Sequence, residues 1–100
     1  MPSLNMTIPF SISHEEALKR IKTLLSETKK EHGDTIENLK EQWNGNVGTF
    51  SFTAKGYDIS GTMTVESSTI ELDGKIPFAV SLFKGAITKV INEKAAELLA

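Results

Sequence analysis

The sequence predicts an α+β fold of two layers, β-α-β-β-β-β-α, with one antiparallel sheet and both helices on one of its faces. Three observations predict it. Residues 47–76 alternate apolar and polar side chains through three consecutive segments. A strand points successive side chains to opposite faces, so this alternation marks a sheet with one packed and one wet face. Segments on either side of it repeat their apolar residues at helical intervals. The chain has 100 residues, enough for one domain spanning 1–100 and one compact core.

In chain order, Leu4, Met6, Ile8, Phe10 and Ile12 alternate with Asn5, Thr7 and Ser11, which is a strand pattern. Pro9 falls on the polar side. It cannot donate to a ladder, so the strand is an edge strand or Pro9 marks its end. Ser13 opens a helix. Ser13 and Glu16 have capping-box spacing, and Glu15 adds negative charge to the first turn. Ala17, Leu18, Ile21, Leu24, Leu25 and Thr28 follow on one stripe, with Lys19, Arg20 and Lys22 elsewhere. Lys29, Lys30 and His32 suit a helix C-terminus, and Gly33 supplies a stop. This basic group either meets an acidic partner or is a solvated helix face.

Residues 34–40 fit a helix extension or a lead into a strand. The expected strand is 39–43, where Leu39 and Trp43 share a parity that also turns Glu41 inward. Asn44-Gly45-Asn46 is a hairpin signal, because Asn-Gly tolerates positive φ. Trp43, the only tryptophan, is either a partner anchor or part of the core edge.

The central ribbon follows. Phe50, Phe52, Ala54, Ile59, Met63, Val65, Ile70, Leu72 and Ile76 face one way, while Thr49, Ser51, Thr53, Ser60, Thr62, Thr64, Glu71, Asp73 and Lys75 face the other. A slip of one residue would turn the apolar set into water, so the register is strongly specified. Gly61 and Gly74 interrupt the apolar face. A strand glycine marks a bulge or a close approach: clearance for a helix, or a gap for a ligand. Pro77 fits a first helical position, and a helix covers 78–99. Phe83, Ala86, Ile87, Val90, Ile91, Lys94 and Leu98 trace its stripe, and Phe78, Ala79, Val80 and Leu82 make its first turn apolar nearly all round. That is more apolar surface than one sheet covers. Its uses are deep core, a homodimer contact, or a patch for an apolar surface.

Composition narrows the function. A net charge of −2 argues against nucleic acid as a partner, which calls for a basic field. Cysteine is absent, so disulfide and thiol chemistry are excluded and a reducing compartment is allowed. No apolar run approaches the ~20 residues of a transmembrane helix, and no secretion signal is visible at the start. The expected location is the cytoplasm.

Residues with chemistry are few, and no catalytic, cofactor or metal site is expected. His14 and His32 end up about 27 Å apart on a helix, too far to share a metal. His14-Glu15-Glu16 lacks the second histidine of a zinc motif. Glu15 with Glu16, and Glu71 with Asp73, are exposed pairs and poor general acids at neutral pH. Only Glu41 has inward parity; it is a titration candidate, or an edge residue whose carboxylate reaches water. Gly45, Gly48 and Gly56 lack phosphate-loop spacing.

The order of features resembles a small bacterial family, the polyhydroxyalkanoic acid system proteins. The resemblance rests on residues 39–43 with Asn44-Gly45, on Phe50-Ser51-Phe52, on Gly61-Thr62-Met63-Thr64-Val65, on Ile70-Glu71-Leu72, and on Phe83-Lys84-Gly85-Ala86-Ile87. It covers nearly the whole chain. It implies a non-enzymatic accessory protein encoded beside storage-polyester machinery, with granule surfaces or granule proteins as partners and no catalytic residues to carry over.

Three readings follow, in order. The first is a granule-associated accessory protein using Phe78, Val80, Leu82 and Phe83 as its apolar contact. The second is a carrier holding a small apolar ligand between sheet and last helix, near Gly61, Gly74 and Trp43; it needs an enclosed pocket of about 300 Å³. The third is an enzyme, with only Glu41 to offer.

Overall fold

The computed structural model describes residues 3–31 and 33–100. Five strands form one antiparallel sheet: β1 (Ser3–Pro9), β2 (Ile36–Asn44), β3 (Val47–Ala54), β4 (Tyr57–Val65) and β5 (Thr69–Lys75). Their spatial order is β1-β5-β4-β3-β2. The last four make a plain meander, and the first strand returns to pair with the last. The edges are therefore β1 and β2. Pro9 closes β1 opposite Thr69, where its missing donor costs little.

The parity of the ribbon holds. Ile59, Met63, Val65, Ile70 and Leu72 are buried and Phe52 is half-buried. Cross-strand pairs such as Met63 with Leu72 and Val65 with Ile70 put apolar side chains next to each other on one face. Gly45 has φ +62° at the first central position of the β2–β3 turn, as a type II′ hairpin requires.

The expected strand 39–43 is longer than its alternation indicates. Glu37 pairs with Thr53 and Lys40 with Ser51, so Asn38 and Leu39 together oppose Phe52. This is a two-against-one bulge, and Asn38 takes φ 54°, a conformation asparagine tolerates better than most residues. The bulge resets parity. It lets both Ile36, which is buried, and the later set of Leu39, Glu41 and Trp43 face the apolar side.

Each of the two expected helices is broken. The first is α1 (His14–Ile21) followed by α2 (Leu24–Glu31). Ser13 caps α1 by accepting from the Glu16 amide, but the Glu16 carboxylate turns to Arg20, 2.9 Å away, so only half of the capping box forms. At the break the Thr23 hydroxyl donates to the Arg20 carbonyl at 2.7 Å, competing with the helical ladder. Buried Ile21 and Leu24 flank the bend. His32, counted among the cations at this helix end, lies outside the described residues.

The last helix is α3 (Phe78–Ser81) and α4 (Lys84–Leu99). Pro77 is the N-cap of α3, one position before the expected site. The buried line of α4 is also rotated. Ile87, Ile91, Lys94, Ala95, Leu98 and Leu99 are buried or half-buried, while Phe83, Ala86 and Val90 face out. A helix apolar on two sides takes its orientation from tertiary packing. Ala17, Ile21, Leu24, Ala95 and Leu99 share a core with Leu4, Ile8, Phe50, Met63, Val65, Ile70 and Leu72. A smaller cluster joins Val80 of α3 to Ile59 and Ile76.

Two cations tie the helices together. The Arg20 guanidinium donates to the main-chain oxygens of Leu98 and Ala100, at 3.4 and 2.7 Å, satisfying acceptors at the end of α4. Lys94, only 8% exposed, places its ammonium 2.7 Å from Glu31 and 3.6 Å from Glu97. The hydrogen bond to Glu31 raises its pKa above the ordinary value of 10.5. Burial opposes this, and the charges of Glu31, Glu97 and Glu27 add to it. A raised folded pKa means the stabilisation is complete below the unfolded value and fades as pH climbs through the folded one. The melting gap between the protein and Lys94→Met is expected to be constant from neutral pH to near 10.5 and to close beyond it. A gap that widened in alkali would contradict this pairing.

Candidate functional site

The apolar surface left over by the core lies where α3 turns into α4. The Phe83 amide donates to the Val80 carbonyl at 2.9 Å, and the Ser81 hydroxyl bonds the Phe78 carbonyl. These short-range bonds close α3 after one turn. Val80 is drawn inward against Ile59 and Ile76, so it leaves the expected contact set. The other three members stay in water: Phe78 and Leu82 are each 76% exposed and Phe83 is 65% exposed. Anchoring the turn by Val80 forces its neighbours out. A single exposed Leu is ordinary, but here three large apolar side chains are exposed within six positions. Ala79, Ala86 and Val90, also exposed, extend it along α4.

The three pocket candidates are not brought together. Gly61 and Gly74 face each other across β4 and β5. A Cβ at Gly61 would stand 2.9 Å from Phe50 Cζ, so the ring of Phe50 lies where a ligand would have to enter. The concavity at this pair, about 460 Å³, is open and bounded by Asn5, Thr49, Ser60, Thr62, Asp73 and Lys75 among others, which are residues of the polar face. Trp43 is on the opposite face, at the sheet edge. Its indole covers Gly48, where a Cβ would be 2.6 Å away. It donates to Glu41 at 3.0 Å and has the Lys22 ammonium 5.6 Å above the ring. This is core-edge packing with a cation–π contact. A second concavity of about 290 Å³ beside Glu41 is open as well. Neither has the enclosure that a carrier of an apolar ligand needs.

Glu41 is half-buried on the edge strand and already occupied by Trp43. The His14 ring nitrogen Nε2 is 3.2 Å from the Val65 carbonyl, which anchors the start of α1 to β4. Among the described residues, no three His, Cys, Asp or Glu side chains gather closely enough to hold a metal, and no helix is long and apolar enough to cross a membrane. The outward turn of Ala86 and Val90 was missed by sequence reasoning. No local signal marked it: the lysine that would argue for an exposed line, Lys94, lies on the buried one.

A family model described as "Putative polyhydroxyalkanoic acid system protein" matches residues 4–99 of this chain. No curated protein and no solved structure matches it.

Proposed function

The chain belongs to the polyhydroxyalkanoic acid system protein family, and from that premise we propose that it is a non-enzymatic accessory protein that docks on a storage-polyester granule. The observation that carries this reading is the exposure of Phe78, Leu82 and Phe83 at one corner of the fold. An aliphatic polyester in water is an apolar surface. Such a surface needs no shaped pocket, only apolar side chains held outward on a rigid support. Val80 provides that support by fixing the turn to Ile59 and Ile76.

The magnitudes favour a reversible attachment. Three side chains at this exposure offer on the order of 400 Å². At ~25 cal/mol per Å² their full burial is worth roughly 10 kcal/mol. Loss of translational and rotational freedom takes back about 4–15 kcal/mol. The two are comparable, so each aromatic ring matters to the outcome.

Co-sedimentation with purified polyester granules tests the reading. The wild type is expected in the pellet. Phe83→Glu loses about 2–3 kcal/mol of burial and adds a charge, so it is expected in the supernatant. Its melting temperature stays within a few degrees, because Phe83 is mostly exposed. A wild type left in the supernatant, or a variant that pellets equally well, removes the proposal.

A further inference from the structure

We infer that the α3–α4 corner is built for an anionic lipid surface, so that its docking requires negative headgroups as well as an apolar layer. The inference rests on the docking role proposed for this corner and names the chemistry of its partner. It is carried by how charge is distributed around the exposed rings.

The whole chain carries a net −2. Yet between Ile76 and Asn92 the charged residues are lysines, Lys84 and Lys89. Both are exposed. The patch residues Phe78, Leu82 and Phe83 lie within the same stretch. The carboxylates nearest in sequence on the strand side, Asp73 and Glu71, belong by register to the polar face of the sheet, opposite Thr62 and Thr64, as does Lys75 opposite Ser60; Asp58 lies on that face too, opposite Thr53. Glu93 and Glu97 follow the outward line of α4, but at 1.5 Å per residue they are about 15 and 21 Å beyond Phe83. The basic and apolar part is thus the first half of the helix, and the acidic part is its far end. The β3–β4 turn adds to the same end. Ala54 packs against the Ile59–Ile76–Val80 cluster and pairs with Tyr57, which is 43% exposed; exposed Lys55 is adjacent.

Apolar side chains with a lysine rim are the composition of an interfacial element, whose rings sit at the acyl boundary while ammonium groups meet headgroups. A second copy of this chain fits less well. An isologous contact would bring the Lys84 and Lys89 rims of two copies into one interface, like charge beside like charge. The three large side chains also offer about half of the ~800 Å² per partner of a standard interface.

Flotation with vesicles tests this, using pure phosphatidylcholine and a mixture with one third phosphatidylglycerol. Binding to the anionic vesicles is expected to exceed binding to the neutral ones by at least tenfold and to fall with salt. Each lysine near such a surface contributes about fivefold, so Lys84→Gln/Lys89→Gln should weaken binding roughly twentyfold or more. Phe83→Glu should abolish it. Equal binding to both vesicles, or no change in the double lysine variant, overturns the inference. Failure on vesicles while granules still pellet the protein overturns it too, and leaves apolar docking on granules standing. Anionic vesicle binding without granule binding supports the inference and removes the granule reading.

Discussion

Gly61→Ala is expected to destabilise the protein by about 3 kcal/mol, the upper end of the range for overpacking. The added Cβ would stand 2.8 Å from the Gly74 Cα and 2.9 Å from Phe50 Cζ, and closer still to the Asp73 carbonyl oxygen. Two of these atoms are backbone of the neighbouring strand. They can move away only by opening the β4–β5 ladder near the end that leads into α3. Gly74, directly opposite in the same pair, is the control. A Cβ there meets nothing nearer than 3.6 Å, so Gly74→Ala should stay within about 0.5 kcal/mol of wild type. Both changes remove the same conformational freedom from the unfolded chain, so the difference between them isolates the steric term. Urea denaturation of the two variants measures it. Equal stabilities would mean that the sheet adapts and that Gly61 is not held by close approach.

This pair also shows how far the pattern of residues could be read. Alternation announced the sheet, its apolar face and the two glycines in that face, because parity along a strand is a local property. It offered clearance for a helix or a gap for a ligand as reasons for the glycines, and the observed reason at Gly61 is neither. A phenyl ring from the next strand and the adjacent backbone take up the space, which depends on register across three strands. Local pattern also failed wherever one residue interrupts it. At Asn38 a single extra residue switched the face, hiding Ile36 from a reading by twos. At Lys22–Thr23 the helical stripe ran through unbroken, since Ile21 and Leu24 satisfy it on either side of the bend. In α4 two apolar lines compete. The line with more large residues near its start, Phe83 with Val90, is the one turned to solvent, because the α3 turn and the core hold the helix in another rotation. The exposure of Phe78, Leu82 and Phe83 was foreseeable only as a surplus of apolar residues. That Val80 would be the one withdrawn needed the contacts with Ile59 and Ile76.

Leu24→Ala is expected to cost about 3–4 kcal/mol, within the range for truncating a fully buried leucine. Leu24 is 1% exposed and is the buried residue of α2. It holds that helix to the shared core immediately after the bend. A helix of eight residues is not stable by propensity alone and depends on this anchor. Its loss should release α2 locally as well as lower global stability, so α2 amides should exchange faster than those of α1. Leu25→Ala, at a half-buried neighbour, should cost roughly half as much. The far end of α2 is fastened by the Glu31–Lys94 bridge. If Leu24 sets the position of that end, then Leu24→Ala and Lys94→Met weaken the same contact, and together they should cost less than the sum of the two alone. Strict additivity would show that α4 grips Glu31 independently of the core, and a Leu24→Ala cost below about 1 kcal/mol would show that α2 is only loosely laid on it.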